Sequence, residues 1–175
     1  FNDSVYEHIQ GEGLYRFVVL RLDDSVVGPW RQARMTDCTM RDATVSDVAE
    51  LVVLETLSFP PDRQASRRSI RHSVLSPHQR VRVVQRGSDL AGAMTLFIHP
   101  LSLRLYSLAV HPDCRSLGLG RLLVADAAGI ARSLGKGILL LEADPKNSIL
   151  VSWYEHQGFV IKATLADYYA PGNHA

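Results

Sequence analysis

Cysteine is nearly missing from this chain: of its 175 residues only Cys38 and Cys114 carry a thiol. Two thiols cannot staple a disulfide framework, and their spacing is not that of a metal knuckle, which predicts a reducing, cytoplasmic setting. An excess of one charge is missing too. Nineteen basic residues stand against eighteen acidic ones, a formal net charge of +1. The chain therefore has no overall field to hold a nucleic-acid backbone or an anionic membrane, and any anion site must be local. No apolar run approaches the ~20 residues that cross a bilayer, and the first thirty residues lack the basic start and apolar centre of a signal peptide. The histidines are scattered without a metal-ligand set. Repeats and low-complexity tracts are absent, and because the chain opens at Phe1 rather than Met, its natural start is left open.

What is present suffices for one substantial core. The composition is 46% apolar and 21% charged, at a length usual for a single domain. Residues 1–37 stand apart as an N-terminal extension: Leu14–Leu22 is rich in β-formers, Asp23-Asp24 reads as a turn, and Gly28-Pro29 ends the segment. From residue 38 to 175 the pattern is that of one regular domain. A short strand at 39–43 precedes a cap at Thr44 or Ser46 and a helix carrying Val48, Leu51, Val52 and Leu54, stopped by Pro60-Pro61. A polar helix is predicted over 62–75, with Arg63, Arg67, Arg68 and Arg71 on a solvated face.

Strands at 81–86 and 91–98 form a hairpin about Gly87-Ser-Asp89, and 103–110 reads as a nearly all-apolar strand covered on both faces. Leu123, Ala127, Ile130 and Leu134 mark one face of a helix ending at Gly135. A strand at 137–141, a helix at 148–157 and a strand at 159–163 complete an α/β pattern with parallel pairing in the second half.

The segment Val110-His-Pro-Asp-Cys-Arg-Ser-Leu-Gly-Leu-Gly-Arg121 joins an apolar strand to a helix. A helix start exposes unpaired N–H groups and a partial positive charge, so it binds anions readily. Gly118 and Gly120 remove the Cβ atoms that would hold an anion away, and Arg115 can add a charge-assisted contact. Neither the dinucleotide fingerprint GxGxxG nor a Lys-Ser/Thr after the glycines is present, which disfavours those nucleotide-binding classes. Two glycines on their own indicate no more than a tight turn; the residues further along point beyond it. Cys114 has no His or Asp at a spacing suited to nucleophilic catalysis.

Arg115-x-x-Gly118-x-Gly120, after a strand ending Leu-Ala-Val-His-Pro-Asp, resembles the acetyl-coenzyme A signature of the GNAT superfamily, the Gcn5-related N-acetyltransferases. The resemblance spans about residues 39–174 and is most specific over 103–170. It implies an α/β (α+β) fold: a mixed, mostly antiparallel central sheet flanked by helices, with a V-shaped splay between two parallel strands, 103–110 and 137–141. It implies that Leu108, Ala109 and Val110 offer backbone groups to the pantetheine arm. Arg115, Ser116, Leu117, Gly118, Leu119, Gly120 and Arg121 would hold the pyrophosphate. Ser116 departs from the Gly or basic residue common in the family.

Leu140-Leu-Glu142-Ala-Asp-Pro-Lys-Asn147, followed by Trp153-Tyr154-Glu-His-Gln-Gly-Phe159, is similar to the ribosomal-protein alanine N-acetyltransferase branch. By that likeness Glu142 matches the general base, Asn147 a cofactor-side polar residue, and Tyr154 the acid that protonates the departing thiolate. The turn Asp167-Tyr168-Tyr169-Ala-Pro-Gly172 resembles one that shapes the acceptor pocket, which makes Tyr168 and Tyr169 candidate substrate-binding residues. Asp144 and Pro145 depart from that branch. On their residue types alone, Glu142 reads equally as the first exposed residue after a strand, Asn147 as a helix N-cap and Tyr154 as core. His111 belongs to the loop motif and His156 faces solvent.

The activity implied is transfer of an acetyl group from acetyl-CoA to a primary amine, foremost a peptide or protein N-terminal α-amine. The alternatives are a small-molecule amine as acceptor, or a module that senses acyl-CoA without turning it over. Family members finish with one more strand than this chain supplies after the tyrosine turn. Residues 16–22 are therefore expected to fill that place, within a monomer or by exchange in a homodimer.

Overall fold

The computed structural model describes residues 17–22, 38–144 and 146–165. Tyr168, Tyr169 and the turn that contains them lie outside the described residues, as do Asp23-Asp24 and Gly28-Pro29. The chain contributes β1 (Phe17–Leu22), β2 (Cys38–Asp42), α1 (Val48–Ser58), α2 (Arg67–Leu75), β3 (Gln79–Arg86) and β4 (Asp89–Ile98). There follow β5 (Leu103–Val110), α3 (Leu119–Ser133), β6 (Leu139–Ala143), α4 (Ser148–His156) and β7 (Phe159–Leu165). The strands form one seven-stranded sheet in the order β2-β3-β4-β5-β6-β1-β7. All neighbours are antiparallel except β5 and β6, which is the mixed, mostly antiparallel sheet expected from the sequence.

Two apolar layers sandwich this sheet. Leu103, Leu105, Leu139, Leu141 and Ala143 point to one face and pack with Leu123, Val124, Ala127 and Ala128 of α3 and with Val151 and Tyr154 of α4. Val81, Val83, Ala93 and Ala109 point the other way, onto Val48, Leu51 and Leu54 of α1 and Ile70 of α2. That division follows from the period of two along each strand and 3.6 along each helix.

Several boundaries differ from the sequence reading. Pro61–Arg63 forms a separate 3-10 turn, and α2 begins only at Arg67, because Ser66 caps it by accepting a hydrogen bond from the Ser69 amide at 3.1 Å. α3 ends at Ser133, so Leu134 leaves the buried stripe and is 40% exposed. β6 runs from Leu139 to Ala143, so Glu142 sits inside the strand rather than closing it. β5 is not covered on both faces along its whole length. A bulge between its pairs Thr95↔Ser107 and Leu96↔Leu105 leaves Tyr106 without a β4 partner and 56% exposed.

β1 lies between β6 and β7. Val18–Leu22 pair with Leu139–Ala143 on one side, and Phe17–Leu22 with residues 159–165 on the other.

Candidate active site

β5 and β6 pair only at Leu103↔Leu139, Arg104↔Leu140 and Leu105↔Leu141. Beyond them β5 continues to Val110 with only its β4 side bonded, while β6 stays bonded to β1 as far as Ala143. The two parallel strands thus diverge. The backbone of Leu108, Ala109 and Val110 faces the opening on one edge, where an extended ligand can pair as a strand would.

At the open end of β5 a 3-10 turn, Pro112–Cys114, leads to Gly118, the N-cap of α3. Gly118 sits at φ +86°, a left-handed conformation that a side chain disfavours. Ser116 adopts φ +64° as well, although it is not glycine. Glycine would adopt that conformation without strain. The first-turn amides of Leu119, Gly120 and Arg121 have no carbonyl before them in the helix to bond. Arg115 and Arg121 flank them, both exposed and without an ion-pair partner among the described residues. Gly120 has a second reason to lack a side chain: a Cβ there would lie 3.4 Å from the Trp153 ring of α4. Trp153 also meets Tyr154 edge-on, with centroids 4.9 Å apart. In the sequence Trp153 stands only as part of the motif ending at Phe159, with no role of its own; the Trp-Tyr pair following an Asn cap was the available signal.

Across the opening, Asn147 caps α4, its side-chain oxygen accepting from the Leu150 amide at 3.1 Å. That leaves its side-chain NH2 available to a ligand. Tyr154 is 7% exposed, packed edge-on against Phe159 at 5.6 Å, and burial pushes its phenol up to about 12. Leu139, Leu141 and Ala143 share the α3/α4 face with Tyr154, so the alternation of β6 puts Glu142 on the opposite, α1/α2 face. The structure thus sets Glu142 and Tyr154 on the two sides of one strand, not side by side.

Glu142 is also not free. Its carboxylate accepts a hydrogen bond from Arg104 at 2.6 Å, and the two side chains are 14% and 18% exposed. Arg104 in turn lies 5.6 Å from the centroid of Tyr106, which stacks on Phe97 at 4.6 Å. Asp144, on the same face, pairs with Arg63 of the α1–α2 connection at 3.9 Å. One of the arginines expected on a solvated face is therefore engaged at the rim of the cleft.

A cleft opens between α1, α2 and the bulge of β4–β5. Its walls include Ser69, Ser73, Thr95, Tyr106, Ser107 and Glu55 over an apolar floor. Glu55 was not singled out in the sequence. One of its oxygens accepts from the Ala65 amide at 2.8 Å, and burial raises its carboxyl above the usual range, with the Ala65 contact opposing. Among the described residues no cluster of His, Cys, Asp and Glu could hold a metal ion. No helix among them is long and apolar enough to cross a membrane.

This splayed sheet with an amide cradle at the open end is the arrangement of a coenzyme A-using acyltransferase. Residues 46–159 match the model of the acetyltransferase (GNAT) family, and the chain belongs to that family. Its solved relatives are distant. The ribosomal-protein-S18-alanine N-acetyltransferase from Escherichia coli superposes with a TM-score of 0.64 at 20% identity, covering 70% of this chain and 77% of that one. The PaiA N-acetyltransferase from Thermoplasma acidophilum, in complex with coenzyme A, gives 0.65 at 18% identity, over 71% and 91%. An aminoglycoside acetyltransferase from an uncultured soil metagenomic sample, in complex with trehalose, gives 0.65 at 13%, over 79% and 99%. Such identities establish a shared fold. No curated protein sequence matches the chain.

Proposed function

We propose that this chain is a cytoplasmic, acetyl-CoA-dependent N-acetyltransferase whose acceptor is the α-amine of a peptide or protein N-terminus. The observation that carries the proposal is the unpaired edge of β5 at Leu108–Val110 leading to the open amides of Leu119–Arg121. An extended, amide-containing arm ending in a diphosphate fits both parts: strand-like pairing along one, charge-assisted hydrogen bonds from the other. Gly118 and Gly120 keep the cradle free of side chains, Ser116, Leu117 and Arg115 wrap it, and Asn147 faces the arm from α4.

Acetyl-CoA, when bound, supplies an activated thioester, and the chain's own groups do the rest. An α-amine has a reference pKa near ~8, against ~10.4 for a lysine amine, so a carboxylate can relieve it of its proton at neutral pH with little help. Glu142 takes that proton, directly or through water, and the neutral nitrogen attacks the carbonyl carbon. The nitrogen, cationic after attack, gives up its second proton to water, and as the C–S bond breaks the thiolate receives the Tyr154 phenolic proton, which solvent then restores. Burial keeps Tyr154 protonated into strongly alkaline solution. It also makes full transfer to a thiolate uphill, so the phenol first stabilises the departing sulfur as a hydrogen-bond donor. Tyr168 and Tyr169 would shape the acceptor's entry.

A second assignment of the base has a specific observation behind it. Glu142 is held by Arg104, whereas Glu55 lines the acceptor-side cleft with one oxygen unbonded and its proton affinity raised. Incubating the protein with acetyl-CoA and a library of unblocked peptides, followed by mass spectrometry, tests the acceptor. Acetylated N-termini are expected. Thiol release only with small amines would move the acceptor to that class, and coenzyme binding without any turnover would leave a sensing module.

A further inference from the structure

Three arginines of this chain meet a carboxylate with both arms of the guanidinium fork. Arg41 does so with Asp47 through both terminal nitrogens at 2.7 Å, and Arg80 with Asp42 and Arg82 with Asp126 through Nε and a terminal nitrogen. That two-armed geometry is the stronger form of the pair. Arg104 does otherwise. It gives one terminal nitrogen to Oε2 of Glu142 at 2.6 Å, and its Nε is buried with no acceptor. A buried donor left unpaired costs stability, so a pair arranged for stability alone would close the fork. The other Glu142 oxygen has no partner among the described residues.

The place of the pair explains the difference. Arg104 is paired on one side with Phe97 of β4 and on the other with Leu140 of β6, in the second of the three β5–β6 pairs. Glu142 stands one residue past the last of them, Leu105↔Leu141, where the strands begin to part. The single-armed bond therefore crosses the apex of the splay on the α1/α2 face. Arg104 is itself held in place. The Tyr106 ring, left out of the pairing by the bulge, lies under its guanidinium carbon at 5.6 Å and stacks on Phe97 with planes 7° from parallel. A cation over an aromatic face is attracted by the ring. Phe97, Tyr106, Arg104 and Glu142 thus form one chain of contacts, from ring to ring to guanidinium to carboxylate.

We propose that Arg104 is a positioning residue for the acyl transfer, holding one oxygen of Glu142 so that the other is turned towards the acceptor amine. The inference rests on Glu142 as the base. An untethered glutamate beside an open cleft samples several staggered rotamers. Tying Oε2 to a cation that is pinned by an aromatic stack leaves one orientation, and the free Oε1 is the atom that takes the amine's proton. The open fork then has a reason: a bidentate pair would occupy both oxygens and leave neither for the proton. A misplacement of about 1 Å at a reacting group can cost about 10²-fold in rate.

A double-mutant cycle in the full chain separates positioning from packing. Steady-state thiol release is measured with acetyl-CoA and pooled unblocked peptides for Arg104→Ala, Glu142→Gln and the two together. Arg104→Ala is expected to lower kcat by about 10²-fold with the KM for acetyl-CoA unchanged. Once Glu142→Gln is in place the same change should cost little, because the two side chains act as one unit. Guanidinium chloride at roughly tens of millimolar, far below unfolding concentrations, should restore part of the kcat of Arg104→Ala where equal sodium chloride does not. It should restore nothing to the double variant. Should Arg104→Ala fail to fold, Arg104→Lys keeps the cation on a different reach and should show the same coupling with a smaller loss. Equal losses from the Arg104 change in both backgrounds, or a lost kcat that guanidinium leaves where it is, would overturn the inference while leaving Glu142 as base. An unchanged kcat in Glu142→Gln would instead remove the base itself, and the inference with it.

Discussion

Burial decides what the Tyr154 side chain can do. A phenol pushed up to about 12 carries its proton at every pH where the protein works. The same shift makes folding bind that proton more tightly than the unfolded chain does. The stability it contributes is therefore complete below pH ~10, the unfolded value, and is lost as pH rises towards about 12. Tyr154→Phe should keep the ring contacts with Trp153 and Phe159, and with them the fold. It should lower kcat by about 10²-fold, the low end of general acid catalysis, with acetyl-CoA affinity by calorimetry unchanged. An unaltered kcat would remove the acid role.

The two carboxylates separate in the same way. If Glu142 is the base, Glu142→Gln should reduce kcat by about 10²-fold or more, with Glu55→Gln mild. The opposite ranking in steady-state thiol release would transfer the proton to Glu55. Ser116→Gly relieves a left-handed side-chain conformation and should raise stability by about 0.5–1 kcal/mol in thermal unfolding. A loss of stability there would mean that the serine side chain makes a compensating contact.

Among the elements, the start of α1 is held by the most concentrated polar contacts. Asp47, 6% exposed, accepts from both terminal nitrogens of Arg41 at 2.7 Å and from the amide and hydroxyl of Thr44 at 2.7 and 3.0 Å. The Arg41 bonds hold its carboxyl well below the usual range against the opposing cost of burial. A lowered folded value stabilises above the unfolded value, near pH ~4, and that stability is lost as pH falls through the lowered one. Asp47→Ala should cost about 2–3 kcal/mol in urea unfolding at pH 7, reduced from the value of a fully buried pair because Arg41 is partly exposed. The difference from the unaltered protein should shrink near pH 3. A pH-independent difference would show that packing, not charge, makes the contribution.

The periodic elements were readable because their signals are local. Leu123 and Ala127 declare one side of α3, and the β3–β4 hairpin follows from residues on either side of Gly87. The pairing of Glu142 with Arg104 joins residues 38 apart across diverging strands, and the approach of Trp153 to Gly120 joins two helices. Neither leaves a local pattern. The boundary of β6 was missed because Glu142 interrupts an apolar run that its backbone pairing to β1 continues.

On the scale of the whole molecule, a chain of net charge +1 that binds a diphosphate, as proposed, must gather positive potential at that site rather than spread it. Arg115 and Arg121, unpaired among the described residues, do this at the start of α3, while Arg80 and Arg82 are neutralised by Asp42 and Asp126. Exposed charge-assisted contacts of this kind each contribute about three- to tenfold in affinity. Arg115→Ala and Arg121→Ala should therefore each weaken coenzyme A binding by that factor, and the double variant by more than either alone, short of the product because the two share one diphosphate. Screening gives a second readout that a packing defect would not share. Raising the salt from 0.05 to 0.5 M should weaken the unaltered protein's binding more than the double variant's, because the screened contacts are those removed. Equal salt slopes, or wild-type affinity in the double variant, would place the diphosphate elsewhere than on the amides of Leu119–Arg121.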